Sequence, residues 1–434
     1  MDSGNDSSPD ASEDQSLGAA GRRRRHLLRV LGTAGAAALA GCSADDTTTR
    51  PPTTGTTAGT TTDTPGRDIW LAPNGDDDAS GNEDDPLRTF AEAVNRRAEP
   101  GDTVRAKSGV YEQFLTMRQG GEPGAPITIT GPPDAILRPE PGTGQALRIH
   151  HSHVHLTGLS IDGLLDPERR FEAFEAWVGI AIDISPYAPF KDETPAYLRD
   201  LVIEPHRLGG SLGTLVAPTR IRDASIGGFE LTAPAGMRYD ERLPRTAEGH
   251  NRELVYIGTS PGNIDRSSYP WDGLDRTRNV RVHHIDNSAG YPHSELTDIK
   301  VGSERITVEY CTDRGAGEQT DDNPAGAVSV KGNDCTVRWN NLGDAPYTLE
   351  FDPYYPQGDV SEWARDNEIY GNYLHDFSAA AVRFPDYGEA TPESQRVFCG
   401  NRIEDGPGDY PYATGDCAGG VPDGEGVGHE AGRN

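Results

Sequence analysis

The chain has 434 residues, with 69 Asp and Glu against 40 Lys and Arg, a formal net charge of −29, and 52 Gly, 33 Pro and only 34% hydrophobic residues. The acidity excludes a nucleic-acid-binding face, which needs clustered cations to meet phosphates. So much Gly and Pro with so few large apolar residues excludes a helical bundle and favours a loop-rich β protein.

The first segment is not fold. Arg24-Arg25-His26-Leu27-Leu28-Arg29 precedes an apolar stretch, Val30 to Ala40, too short to span a bilayer stably. It resembles a twin-arginine export signal, and Leu39-Ala40-Gly41-Cys42 resembles a lipobox whose Cys42 is lipidated after cleavage. The alternative is an ordinary secretory signal with a chance Cys. Residues 1–42 are therefore expected to be a lipoprotein signal, and the mature chain to be held at the cell surface, outside the cytoplasm, by a membrane anchor. Residues 43–66 are Thr, Pro, Gly and Asp with almost nothing apolar, a disordered linker. A single domain is expected over 67–415, then a disordered Gly-rich tail over 416–434. Nothing in the sequence calls for an oligomer, and a monomer is expected. Arginine supplies 36 of the cations and Lys only four, at 107, 191, 300 and 331. Scarce Lys with abundant carboxylate matches a surface that stays hydrated at high salt.

The body opens with a short strand, Asp68 to Ala72. A helical segment follows from Leu87 to Arg97, with Leu87, Phe90, Ala91 and Val94 on one face and a stop at Glu99-Pro100-Gly101. Asp102 to Tyr111 then reads as strand and turn. This order resembles the opening of right-handed parallel β-helix proteins, in which the helix caps the first coil. Short alternating strands recur from there: Ile127–Thr130, Ala146–Ile149, His153–Leu156, Leu201–Ile203, Leu254–Ile257, Val280–Val282, Ile299–Val301, Ile306–Val308, Ala327–Val330, Thr336–Arg338, Thr348–Phe351 and Ala380–Phe384. The segments "DIKVGSERITVEYC" and "SVKGNDCTVRWNN" share strand, Gly turn, strand, then a turn holding Asn or Cys, and their lysines lie 31 residues apart. That is a solenoid period. The expected fold is an all-β, single-stranded right-handed parallel β-helix with a short N-terminal capping helix and long loops over 164–196 and 313–324.

Alternation along strands assigns faces. Thr297, Ile299, Val301, Val328, Val330, Leu349, Phe351, Val382 and Phe384 point inward. Asp298, Lys300, Ser329, Lys331, Glu350 and Arg383 point outward, and aligned coils give a ladder of Lys300, Lys331, Glu350 and Arg383 with Tyr256 on the coil before. A solvated ion-pair ladder is the bland interpretation. Lys300 beside Lys331 sets like charges together, which would lower the pKa of one and make it a general base.

The stretches "NRELVYIGTS", "NVRVHHIDN", "SELTDIKVGSERITVEYCT" and "GAVSVKGNDCTVRWNNLGD" resemble consecutive coils of polysaccharide lyase family six, which includes alginate lyases and a dermatan-cleaving chondroitinase. The resemblance implies β-elimination on a uronic-acid polysaccharide: Lys300 as base at C5, Lys331 in the place of the family's Arg at the leaving oxygen, and Glu295 as a Ca²⁺ ligand. The family's other ligand places appear here as His284 and His293. Imidazole suits calcium poorly, since the ion prefers oxygen. Asp298, Glu350, Arg383 and Tyr256 would contact an acidic polysaccharide, and Trp271, Tyr291, Tyr347, Tyr354 and Tyr355 are candidate sugar platforms. Two rivals stand beside this reading, a non-catalytic glycan-binding or structural β-helix and a glycoside hydrolase using Asp298 and Glu350. The spacing of the His residues fits no compact transition-metal motif. Cys311 and Cys335 fall about five strand positions apart, beyond disulfide reach, whereas Cys399 and Cys417 can pair.

Overall fold

A computed structural model of the chain describes residues 66–139, 144–163, 176–182, 197–211, 213–235, 252–263, 273–317, 325–356, 358–385, 390–420, 424 and 426–433. The expected export signal with Cys42, residues 43–65 of the expected linker and Trp271 lie outside the described residues.

Among the described residues every strand takes as its neighbour the strand one coil on, giving three parallel sheets of eleven, nine and ten strands. The chain is all-β, a right-handed parallel β-helix, as its repeating strand pattern predicts. In the nine-stranded sheet Val216, Val255, Thr297, Val328, Leu349 and Val382 stack in register, and Ile257, Ile299 and Val330 form a second column beside them. All are 5% exposed or less. No coil could bury these side chains alone; stacking joins them into one apolar column, at about 25 cal/mol per Å² removed from water.

Corners demand a different chemistry. Asp200, Asp223, Asn279, Asp334 and Asp366 recur at one turn in the eleven-stranded sheet with positive φ between 54° and 58°. Asp and Asn tolerate that left-handed conformation better than other residues with a side chain. Inside another corner Asn340, Asn372 and Asn401 form a buried ladder, each passing its amide to the next: Asn340 Nδ2 donates to Asn372 Oδ1 at 3.0 Å and Asn372 Nδ2 to Asn401 Oδ1 at 2.9 Å. Cys311 heads this ladder, its backbone N donating to Asn340 Oδ1 at 2.9 Å, and Cys335 heads a second one through Asn367. Both thiols are unpaired, and Cys399 is bonded to Cys417. Asn372 also donates to Val337 O and accepts from Asn340 N. Asn372→Ala would strand these buried groups and is expected to cost about 3 kcal/mol, read as a lower denaturant midpoint at unchanged slope.

The cap differs in detail from the expected Leu87–Arg97 helix. It spans Phe90–Arg97, with α-helix over Phe90–Glu92 and wider π winding over Ala93–Arg97. Thr89 fixes the start: its Oγ1 accepts from Glu92 N at 3.1 Å, while Asp77 accepts from the backbone of Arg88 and Thr89. Leu87 instead bridges to Leu71 as extended chain. Phe90, Ala93 and Val94 are buried and close the column, Phe90 meeting Tyr111 edge-on at 5.1 Å.

Three further expectations are corrected. Val301 does not enter the column; it joins a separate apolar cluster with Leu274 and Trp363, against which Tyr355 packs, because the strand ends at Ile299 and the chain turns. The expected loop over 164–196 contains a strand, Ala176–Ile182, and Asp313 closes the strand Thr312–Asp313. The described part of the expected disordered tail packs on the body: Gly428 N donates to Trp339 O at 2.9 Å, His284 Nε2 bonds Ala431 O at 2.8 Å, and His429 Nδ1 meets Thr312 Oγ1 at 2.9 Å.

Candidate functional site

The outer face of the nine-stranded sheet holds the cluster. Backbone pairing puts Tyr256, Asp298, Ser329, Glu350 and Arg383 in one outward column. Lys300 and Lys331 sit two residues further along their coils, side by side; Lys300 N donates to Ile257 O and Lys331 N to Ile299 O, each at 3.0 Å. The expected single ladder is therefore two columns. The lysines occupy one, and Glu350 and Arg383 the other.

Asp298 joins the two. Lys331 Nζ donates to its Oδ1 at 2.8 Å, and Lys300 Nζ to its Oδ2. Asp298 is 1% exposed. Lys300 also lies over the Tyr256 ring, 4.3 Å from the centroid. This geometry overturns the expectation that lysine–lysine repulsion lowers a pKa. Burial does oppose the charge on Lys300, but Asp298, Tyr256, Glu253 and Glu295 outweigh it and hold the pKa well above the usual lysine value. The same ammoniums hold Asp298 below the ordinary carboxylate range against the effect of burial. Lys300 is an ammonium here, a proton donor.

Beside the lysines lie Glu253, Glu295 and Asp298, each offering a carboxylate oxygen, with those atoms within 4.8 Å of one another. Burial, aided by Asp298 and Glu253, pushes Glu295 up to about 7, and burial raises Glu253 as well. Thr214 Oγ1 donates to Glu253 Oε2 at 2.7 Å. Glu253 did not emerge from the sequence reading. Its signal was the coil offset: Tyr256 pairs with Asp298, so counting back three residues on both coils sets Glu253 against Glu295.

His284 and His293 are engaged elsewhere. His284 Nδ1 meets His283 Nδ1 at 2.9 Å, and His293 Nε2 meets Asp313 Oδ1 at 2.8 Å in full burial. Neither belongs to the carboxylate group: His284 stands in the corner between the eleven- and ten-stranded sheets, and His293 in the segment that leads into Thr297–Ile299. Glu350 and Arg383 form their own pair, Nη1 to Oε1 at 2.7 Å, with Gly326 N donating to Glu350 Oε2 at 3.2 Å and the guanidinium 5.2 Å from the Tyr347 ring. Ser329, fully buried between Asp298 and Glu350, has a hydroxyl with no hydrogen-bond partner among the described residues. Of the aromatic platforms, Tyr291 packs on the core, Tyr355 on the Trp363 cluster, and Tyr354 is 59% exposed.

The alginate lyase of Paenibacillus sp. str. FPU-7 aligns with 78% of this chain and 98% of its own, with a TM-score of 0.52 and 16% identity. The two share the parallel β-helix fold. Pectate lyase Pel9A aligns with the β-helix over 79% of each chain, with a TM-score of 0.48 and 11% identity. No family model matches the sequence. A curated relative, the uncharacterized protein YwoF of Bacillus subtilis (strain 168), is 32% identical over 107 residues, spanning 22% of this chain and 22% of that protein.

Proposed function

We propose that this β-helix is an exported, lipid-anchored polysaccharide lyase that cleaves a uronic-acid-containing polysaccharide by β-elimination. The observation that carries the reading is the pair of ammoniums on Asp298 beside Glu253 and Glu295, all on one outer sheet face. Elimination needs the uronate carboxylate neutralised, a proton taken from C5 and a proton supplied to the departing O4. Lys300 and Lys331 meet the first and last needs, since two adjacent ammoniums complement a carboxylate and can protonate a leaving oxygen.

Calcium fits the carboxylate group on chemistry. Glu253, Glu295 and Asp298 offer three hard oxygen donors in one cluster, and burial together with the neighbouring carboxylates raises the pKa of Glu253 and pushes Glu295 up to about 7. Those three residues would hold the ion, which when bound supplies charge neutralisation to the uronate. Export by the twin-arginine route, lipidation at Cys42, a monomeric state and adaptation to salt belong to the same proposal and rest on the N-terminal sequence and the composition.

A second reading has an observation of its own. Glu350 is pushed up to about 7, chiefly by burial, while Asp298 stays ionised, a pairing of acid and base on one face. Their strands are two rungs apart, roughly 9.6 Å between backbones, within reach of an inverting glycoside hydrolase. Incubation with alginate, pectate and glycosaminoglycans separates the readings. A lyase yields an unsaturated product absorbing in the ultraviolet; reducing ends without that absorbance would replace the lyase with a hydrolase. Neither signal on any polymer, at high salt and with calcium, would leave a glycan-binding β-helix.

A further inference from the structure

A β-elimination needs a proton acceptor as well as a donor, and the donor side of this site is already filled. Lys300 and Lys331 both donate to Asp298, so both oxygens of that carboxylate are engaged by ammoniums. Glu253 and Glu295 converge with Asp298 on one point and face each other. Glu350 is the carboxylate left on the outward column. It stands one rung beyond Ser329 and two beyond Asp298.

Its surroundings suit an acceptor. Arg383 donates to Oε1 at 2.7 Å and Gly326 N to Oε2 at 3.2 Å, which fixes the carboxylate plane while each oxygen keeps a second lone pair. Arg383 is itself set by the Tyr347 ring 5.2 Å away. Between Glu350 and the lysine cluster lies Ser329, fully buried, its hydroxyl without a hydrogen-bond partner among the described residues. A buried hydroxyl left so is costly unless a ligand meets it. A sugar ring bridging the cluster and Glu350 would do so.

We propose that Glu350 takes the C5 proton of the uronate residue, with Arg383 as its positioning residue and Ser329 Oγ bonding the sugar that spans the two. The proposal rests on the lyase reading. The C5–H bond breaks toward Glu350 and its electron pair becomes the C4–C5 double bond. The C4–O bond breaks, and the departing oxygen receives a proton from an ammonium of the lysine pair. Glu350 then releases its proton, and the amine regains one from solvent, so no proton is gained or lost over the cycle. Carboxylates do remove protons next to carbonyl groups when the site holds them in place.

The groups facing Glu350 are Lys331 and Arg383, which lower its pKa, and Asp352 and Glu295, which raise it; burial outweighs them and leaves it at about 7. An acceptor must be ionised, so activity is expected above that value and lost as pH falls through it. The test is the rate of unsaturated-product formation from pH 5 to 9 by the full chain and by Glu350→Gln, Glu350→Asp and Arg383→Met, with circular dichroism to confirm folding. Glu350→Gln is expected to lower kcat by about 10²- to 10⁴-fold with KM little changed, and to abolish the acid limb. Glu350→Asp should keep the limb and part of the rate. Arg383→Met should move the limb to higher pH, which a merely structural arginine would not do. A folded Glu350→Gln enzyme with undiminished kcat and the wild-type limb overturns the assignment and leaves the lyase standing. If Glu350→Gln does not fold, the limb in Arg383→Met decides, and an unmoved limb overturns it. Wild-type chain that forms no unsaturated product from any uronate polymer removes the lyase reading, and this inference with it.

Discussion

Asp298→Asn is expected to lower the unfolding free energy by about 3–5 kcal/mol, the usual cost of breaking a buried ion pair from one side. Asp298 is 1% exposed and accepts from Lys300 and Lys331, whose side chains are themselves only 13% and 15% exposed. Asparagine keeps the volume and removes the charge, which leaves two buried ammoniums without the carboxylate that both donate to. Lys300 points outward, yet it belongs to this buried cluster, so Lys300→Ala carries a stability cost too. Urea unfolding monitored by circular dichroism measures both variants. A midpoint for Asp298→Asn equal to wild type would mean that the cluster is hydrated and weakly coupled.

Stability of the calcium-free protein is expected to fall as pH rises from about 4.5 to about 7. Glu295 and Glu350 each have an ordinary value of 4.5 and are raised to about 7 in the fold. Between those limits the unfolded chain has lost protons that the folded chain retains. The folded state therefore binds more protons, and unfolding becomes easier with increasing pH. At about 1.4 kcal/mol per pKa unit each group contributes on the order of 3 kcal/mol, present in full below about 4.5 and gone above about 7. A cation on Glu253, Glu295 and Asp298 would reverse the loss at that site by favouring the ionised forms. Thermal melts should show calcium raising Tm strongly at pH 7.5 and little at pH 5. Equal shifts at both pH values would contradict a carboxylate site of this kind.

The solenoid was legible because its strands obey a period of two and its coils repeat. Ile127–Thr130 and Thr336–Arg338 fall where alternation puts them. The third sheet was largely invisible. Asp286–Asn287, Thr312–Asp313 and Asn341–Leu342 are two-residue strands in which four of six residues are Asp or Asn, too short to alternate, and only their stacking on neighbouring coils makes them strands. At the site, strand parity put Asp298, Lys300, Lys331 and Glu350 on the outer face, but parity cannot say how deep that face is buried. Hence the sign of the Lys300 shift was missed: two lysines in water repel, whereas Lys300 on a buried carboxylate holds its proton. His284 and His293 were drawn into the site by position in the motif. They lie past the corners, where register along one sheet no longer applies.

The docked C-terminal residues change what kind of object this is. A β-helix coheres through adjacent coils, so its end coils can peel away without disturbing the middle. Here the bond from His284 to Ala431 joins positions 147 residues apart, and His429 reaches Thr312 across 117. The chain end thus runs back over several coils and ties the last rungs to those beside the lysines, turning the open end of a linear stack into a closed loop. Fraying from that end must first release the strap, so the rungs that carry the lysine pair and the terminal ones are set to open together.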